Sequence, residues 1–360
     1  MKKAAIFIDT IREKGLPEEK KFEILGDNTG NMLFWHALIQ LLDLDVVPRN
    51  TIEEDKERLD SYSSFITTDL IWIGQDVDFS YMRSFLDAIG DKPLIPISVG
   101  LQHSHFDPDF KLHTNTAAIL KELSERCVLG VRGYYTAEIL NKYRITNIDV
   151  IGCPSLYYNS SVLKKIKNSP KSIEKVCLNF ETFFHNLTDP KLDFLLFGAQ
   201  NNYSFVEQTK YRLTLEQCNN KIEIYNYLKL WLDKETRIFF DIDEWREFAR
   251  KFDFSIGYRF HGNVISLWEG IPALFITCDS RTKELCETFA LPTLDFNDFD
   301  INHSIEHYYN LADYSEFAKK YAERLKKFID FSHKNGLKVH FGNDEKSESR
   351  NSLGSLLSFF

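Results

Sequence analysis

Short apolar runs bounded by turn residues recur along the first half of the chain, at Lys3–Ile8, Leu70–Ile73, Leu94–Val99, Val128–Val131 and Ile148–Ile151. Amphipathic stretches fill most of the gaps. Residues 31–43 gather Leu33, Phe34, Ala37, Leu38, Leu41 and Leu42 on one helical stripe, and residues 114–125 gather Ala117, Ala118, Leu120 and Leu123 on another. Strands and helices alternating in this way predict βα units, with the helices covering a parallel sheet.

The pattern restarts after a polar, lysine-rich stretch from Asn159 to Lys175, which reads as an interdomain linker. Strands are expected at Val176–Phe180, Phe194–Phe197, Lys221–Tyr225, Arg237–Phe240, Phe254–Ile256 and Ala273–Thr277, with helices near 204–217, 243–251, 262–269 and 281–289. Residues 313–334 carry Phe317, Tyr321, Leu325, Phe328 and Ile329 at helical spacing and stop at Gly336, which predicts a long helix packed across the domains. The resulting fold class is α/β, with two Rossmann-like parallel-sheet domains facing a central cleft. Residues 1–160 form the N-terminal domain, 161–302 the C-terminal domain, 303–342 a helical segment that packs back, and 343–360 a polar tail. In such sheets ligands sit beyond the carboxyl ends of the strands, so candidate chemistry belongs in strand-to-helix loops.

At 360 residues the chain is long enough for two ordinary cores, at about 150 residues each. With 43% hydrophobic and 27% charged residues it has a globular composition, which excludes global disorder. The net charge of −9 supplies no general basic field, so nucleic acid is not an expected partner and any bound anion must meet a local basic pocket. The six cysteines are scattered, as expected for reduced thiols. The apolar run Ala4–Ile8 is too short for a secretory segment, and Leu33–Leu42 and Leu94–Leu101 fall below the roughly 18 residues of a spanning helix. A cytoplasmic location with no stable membrane insertion is expected.

Several loops carry candidate chemistry. Gly26-Asp27-Asn28-Thr29-Gly30-Asn31 is a glycine-flanked turn opening a helix, where backbone amides and the helix N-terminus suit phosphate, carboxylate or sugar hydroxyl; a plain N-cap by Asp27 or Asn28 accounts for it equally well. Gly257-Tyr258-Arg259-Phe260-His261-Gly262-Asn263 follows one expected strand and opens the next helix. There Arg259 offers a planar fork for an anion and His261 a proton carrier near neutral pH. Asp279-Ser280-Arg281-Thr282-Lys283 delivers further cations at another strand end, where an anion would neutralise charge that is unfavourable at a helix N-terminus. Arg132, after Leu129-Gly130-Val131, is a strand-end arginine from the first domain. A metal reading rests on His103-Ser104-His105-Phe106-Asp107 and on Asp76-Val77-Asp78 and Asp241-Ile242-Asp243. The first lacks the next histidine of the metallo-hydrolase pattern, since Pro108 stands there, and no metal site is assigned.

Taken together, GDNTGN at 26–31, IPISVGLQ at 95–102, LGVRGYYTAEIL at 129–140, IGCPSLYY at 151–158 and SIGYRFHGNVISLWEGIPALFI at 255–276 resemble the polysaccharide pyruvyl transferase family. The resemblance runs in order over about 25–290. It departs from the family pattern at Gly74-Gln75-Asp76, at Gly133 after Arg132, and at Arg281, where lysine is frequent. It implies a GT-B-like fold and transfer of a pyruvyl group from phosphoenolpyruvate to sugar hydroxyls as a ketal, in assembly of a surface polysaccharide such as an exopolysaccharide or capsule. On that reading His261 is the proton donor and Asp27 the base. Arg259, Gly262, Asn263, Arg281, Lys283 and Arg132 hold the donor, while Asn28, Gly30 and Asn31 meet the acceptor. No cofactor beyond the donor substrate phosphoenolpyruvate is expected. The acceptor saccharide is free or lipid-linked, and a homo-oligomer stays open. The alternatives are a GT-B glycosyltransferase using a nucleotide sugar, and a saccharide-binding homologue without activity.

Overall fold

A computed structural model describes residues 3–11, 13, 15–166 and 172–340. The first domain is built on parallel strands in the order Asp45–Val47, Ala4–Phe7, Ser64–Thr67, Leu94–Pro96. Leu129–Val131 and Ile148–Val150 pair in parallel with each other and join the rest through a Val99–Val131 bridge. Ala5, Ile6, Phe7, Phe65 and Ile66 are buried, as strands covered on both faces require. The second domain holds a six-stranded parallel sheet in the order Thr236–Arg237, Ser204–Glu207, Val176–Phe180, Phe254–Gly257, Ala273–Thr277, Thr293–Asp295.

Both sheets have a point where the strand order reverses. In the first it lies between Ala4–Phe7 and Ser64–Thr67, in the second between Val176–Phe180 and Phe254–Gly257. Connections leave such a pair to opposite faces and open a crevice beyond the strand ends. Asp9, Thr68 and Asp69 at one end, and Tyr258, Arg259 and His261 at the other, therefore face one space.

Four expected elements differ. Leu70–Ile73 is mainly a 3₁₀ turn, Asp69–Trp72, and the strand is the preceding Ser64–Thr67. Phe194–Phe197 belongs to the helix Lys191–Asn201, and Lys221–Tyr225 lies at the start of the helix Ile222–Glu235. The expected helix near 204–217 opens instead with the strand Ser204–Glu207. A short apolar run looks the same in a buried helix and a buried strand, and only its packing partners decide. Elsewhere the helices Asn31–Leu42, Thr114–Arg126, Phe260–Trp268 and Ser280–Phe289 match the periodicity.

The helix Ser315–Lys334 crosses between the domains. At its start the Tyr314 hydroxyl donates to Ala273 O at 2.6 Å in the second domain. Farther along, Tyr321 donates to Leu156 O at 2.7 Å, and the Asn335 amide exchanges hydrogen bonds with Val128 in the first. Gly336, at φ 68°, ends it in the left-handed region that favours glycine. The expected polar tail and residues 167–171 of the expected linker lie outside the described residues.

The domains are also stitched directly. Ser280 Oγ donates to Leu101 O at 3.0 Å and accepts from His103 N at 2.9 Å. Buried Glu284 accepts from Thr136 N at 2.6 Å and Thr136 Oγ1 at 2.8 Å.

Candidate functional site

Between the two reversal points lies a cavity of about 610 Å³. The strand Phe254–Gly257 delivers its back wall. Gly257 has φ 154°, and a Cβ there would lie 2.0 Å from Asn179 O, so only glycine lets the two central strands meet this closely before the chain turns into the next helix. Arg259 caps that helix, and His261 stands in its first turn, facing the cleft.

The His261 imidazole rests on Phe34 of the first domain at 5.4 Å between ring centroids, with Nε2 3.5 Å from Cys153 Sγ. Burial, reinforced by the nearby Arg132 and Arg281, drives its pKa down to about 3, so the ring is neutral near pH 7.

Arg132 and Arg281 both line the cavity. Arg132 is only 7% exposed, yet among the described residues no carboxylate stands within ion-pair distance of its guanidinium, whose one hydrogen-bond contact there is Ser98 Oγ at 3.5 Å. A buried guanidinium without a counter-ion is costly and is a binding place for an anion. Arg281 bonds Asp279 Oδ2 at 3.0 and 3.1 Å, and Asp279 also caps its helix through Thr282 N at 2.8 Å.

The other expected donor-side residues fall elsewhere. The Arg259 guanidinium faces the cleft but is bound to Glu181, which also takes Lys191 Nζ at 2.6 Å. Burial raises the Glu181 pKa, but Arg259 and Lys191 outweigh it and hold the carboxyl below its ordinary range. Arg259 Nε is buried without a partner. Gly262 and Asn263 are corrected to structural roles. A Cβ at Gly262 would lie 2.2 Å from Asn179 Oδ1, and Asn263 is buried in a network with Ser255 Oγ at 2.8 Å and Gly257 O at 2.7 Å. Lys283 is exposed over the Phe106 ring at 5.3 Å and does not line the cavity.

The loop after Ile24 reaches the cleft in part. Asn28 and Asn31 line it; Asn28 Oδ1 accepts from Gly30 N at 2.9 Å, and Asn31 Nδ2 donates to Leu25 O at 2.8 Å. Gly30 serves the domain contact, since a Cβ there would lie 2.5 Å from Gln208 Oε1 and 3.1 Å from His261 Cβ. Asp27 is the clearest correction. Its carboxylate is exposed and bound to Lys210 at 3.0 Å, and it does not line the cavity. The left-handed backbone at Gly26 and Asp27 turns that side chain outward.

The wall opposite His261 is made of residues that sequence reasoning missed: Asp9, Arg49, Asp69, Trp72 and Tyr81. Arg49 makes a two-pronged bond to Asp69, with Nη1 to Oδ2 at 2.6 Å, and Tyr81 donates to the same Oδ2 at 3.2 Å. Asp9 accepts from Arg49 N at 3.2 Å. The available signal was position, since Asp9 and Asp69 follow strands directly. Gln208 was also missed: its side chain lines the cavity, 1% exposed, with Nε2 unpartnered.

Among the candidate metal motifs, Asp241 caps a helix through Asp243 N and Glu244 N, and His103 Nδ1 meets the backbone of His105. The six cysteines are free thiols.

The sequence profile of polysaccharide pyruvyl transferases matches residues 28–280, most of the chain. The chain belongs to the polysaccharide pyruvyl transferase family. A search of curated proteins gave no match. Among solved structures, it is similar to a putative UDP-N-acetylglucosamine 2-epimerase from Listeria monocytogenes at 12% identity and TM-score 0.40, over 95% of this chain and 93% of that one. It is also similar to the UDP-GlcNAc 2-epimerase of Methanocaldococcus jannaschii at 10% identity and TM-score 0.40, over 95% and 96%. Membership of the pyruvyl transferase family implies a saccharide acceptor. None of the described helices is long and apolar enough to cross a membrane.

Proposed function

We propose that this pyruvyl transferase family member moves the three-carbon unit of phosphoenolpyruvate onto two hydroxyls of a saccharide, forming a ketal and releasing phosphate. The observation that carries this reading is Arg132: a buried, cleft-facing guanidinium with no carboxylate partner among the described residues, beside Arg281 and His261. Phosphoenolpyruvate is compact and carries an anion at each end, which matches two guanidinium groups set around one imidazole.

In the reaction a proton adds to the methylene carbon of the donor, and positive charge develops at the central carbon. One sugar hydroxyl adds there and loses its proton; the C–O bond to phosphate breaks, and a second hydroxyl closes the ketal with loss of its own proton. His261 supplies the first proton. Its depressed pKa arises from burial and from Arg132 and Arg281, and a bound dianion offsets both arginines. Donor binding therefore raises the affinity of His261 for the proton it must deliver, so the acid forms only when its substrate is present. Asp9 and Asp69, across the cavity, take the place expected for Asp27 and orient the acceptor hydroxyls.

The test is acceptor-dependent phosphate release from phosphoenolpyruvate by the purified full chain. His261→Ala and Arg132→Met are each expected to lower the rate about 100-fold. Turnover of a nucleotide sugar with no consumption of phosphoenolpyruvate overturns the reading.

A further inference from the structure

The cavity is divided by charge. Around His261 stand Arg132 and Arg281, while elsewhere in the lining Asp9 and Asp69 gather about a single guanidinium, Arg49. Arg49 has nothing left to offer a ligand anion: Asp69 occupies both terminal nitrogens, and Asp9 Oδ2 stands 3.9 Å from Nε. Glu23, also in the lining, pairs with Lys20, an exposed ammonium that does not line the cavity.

The same wall exposes aromatic surface inside a concave site. Trp72 is 45% and Tyr81 47% exposed, and both are fixed by packing on buried Phe79, at 5.3 and 5.9 Å between ring centroids. Rigid, half-exposed aromatic faces beside carboxylates suit the C–H face and hydroxyl edge of a pyranose ring.

We propose that this wall is the subsite for a pyranoside ring carrying no negative charge, its face on Trp72 and Tyr81 and its hydroxyls donating to Asp9 and Asp69. Rings bearing a carboxylate are rejected, since here they meet Asp9 and Asp69, whose neighbouring cation Arg49 is already engaged. The inference rests on the pyruvyl-transfer reading for its place in the reaction, although the wall can be tested without that reaction.

Saturation-transfer NMR on the full chain compares methyl β-D-glucopyranoside with methyl β-D-glucopyranosiduronate at millimolar concentration, alongside calorimetry with phosphoenolpyruvate alone. The hexoside is expected to bind, and the uronide about tenfold more weakly or worse. Trp72→Ala, a change at a half-exposed position, weakens the hexoside about tenfold, and Asp9→Asn narrows the gap between the two sugars. Equal or tighter uronide binding, a hexoside signal indifferent to Trp72→Ala, or no binding of either sugar overturns the subsite. If phosphoenolpyruvate fails to bind while the sugars behave as stated, the pyruvyl reading falls and the subsite stands. The reverse pattern removes the subsite alone.

Discussion

His261 of the second domain meets Cys153 of the first, Nε2 to Sγ at 3.5 Å, so the imidazole proposed to carry the proton is set by both domains at once. The thiol is buried and also contacts Ser155 Oγ at 3.0 Å, and burial pushes its pKa up, which keeps it a protonated donor. Cys153→Ala is expected to lower kcat/KM about tenfold and shift its acid limb, whereas Cys153→Ser, which retains a donor, restores most of the activity. A pH–rate series on both variants decides this, and identical profiles in wild type and Cys153→Ala argue against a positioning role.

Removing Arg132 has two expected consequences. Phosphoenolpyruvate affinity falls about 100-fold in Arg132→Met, read by calorimetry. The His261 pKa also rises from its value of about 3 toward the ordinary imidazole range, because one of the two cations that depress it is gone. Imidazole titration by NMR reads that second effect without any substrate.

Asp27 and Asp69 are expected to separate cleanly. Asp27 pairs with Lys210 at an exposed site, so Asp27→Asn changes phosphate release by about twofold or less. Asp69→Asn removes the partner of Arg49 and a hydroxyl acceptor in the cleft, and phosphate release falls about 100-fold. Matched rate measurements on the two variants rank them.

Glu284 sets a pH dependence on the contact between the domains. Burial, only partly opposed by Thr136, raises its pKa from 4.5 to about 7. A carboxyl whose folded pKa is raised contributes stability that is fully present below 4.5 and lost as pH rises through about 7. Wild type is therefore expected to lose up to about 3 kcal/mol from this group across that window, while Glu284→Gln, which mimics the protonated form, loses that part of the slope. Urea unfolding at several pH values measures the difference.

Gly257→Ala is expected to destabilise the second domain by about 3 kcal/mol or more, because the new Cβ would press on backbone Asn179 O at 2.0 Å in a region of φ that side chains avoid. Gly90→Ala shares a positive φ, at 64°, but no atom lies within 4 Å of its Cβ, so its cost is limited to backbone strain of about 1–3 kcal/mol. Comparing the two by urea unfolding separates collision from conformation.

What the sequence by itself determined was local. Uniform apolar runs such as Val176–Phe180 and Ala273–Thr277 must be buried on both faces, which requires parallel strands under helices, and Gly257-Tyr258-Arg259-Phe260-His261 at a strand end had to face the crevice. Where a run was short, as at Phe194–Phe197, period alone could not separate helix from strand, and packing against the sheet made it a helix. Tertiary structure decided which charges are free. Arg259 is taken by Glu181, Asp27 by Lys210, Arg49 by Asp69, and Arg132 by no carboxylate among the described residues. A charge finds its partner by distance in space, and partners as far apart in sequence as Asp27 and Lys210 leave no trace in local pattern or composition.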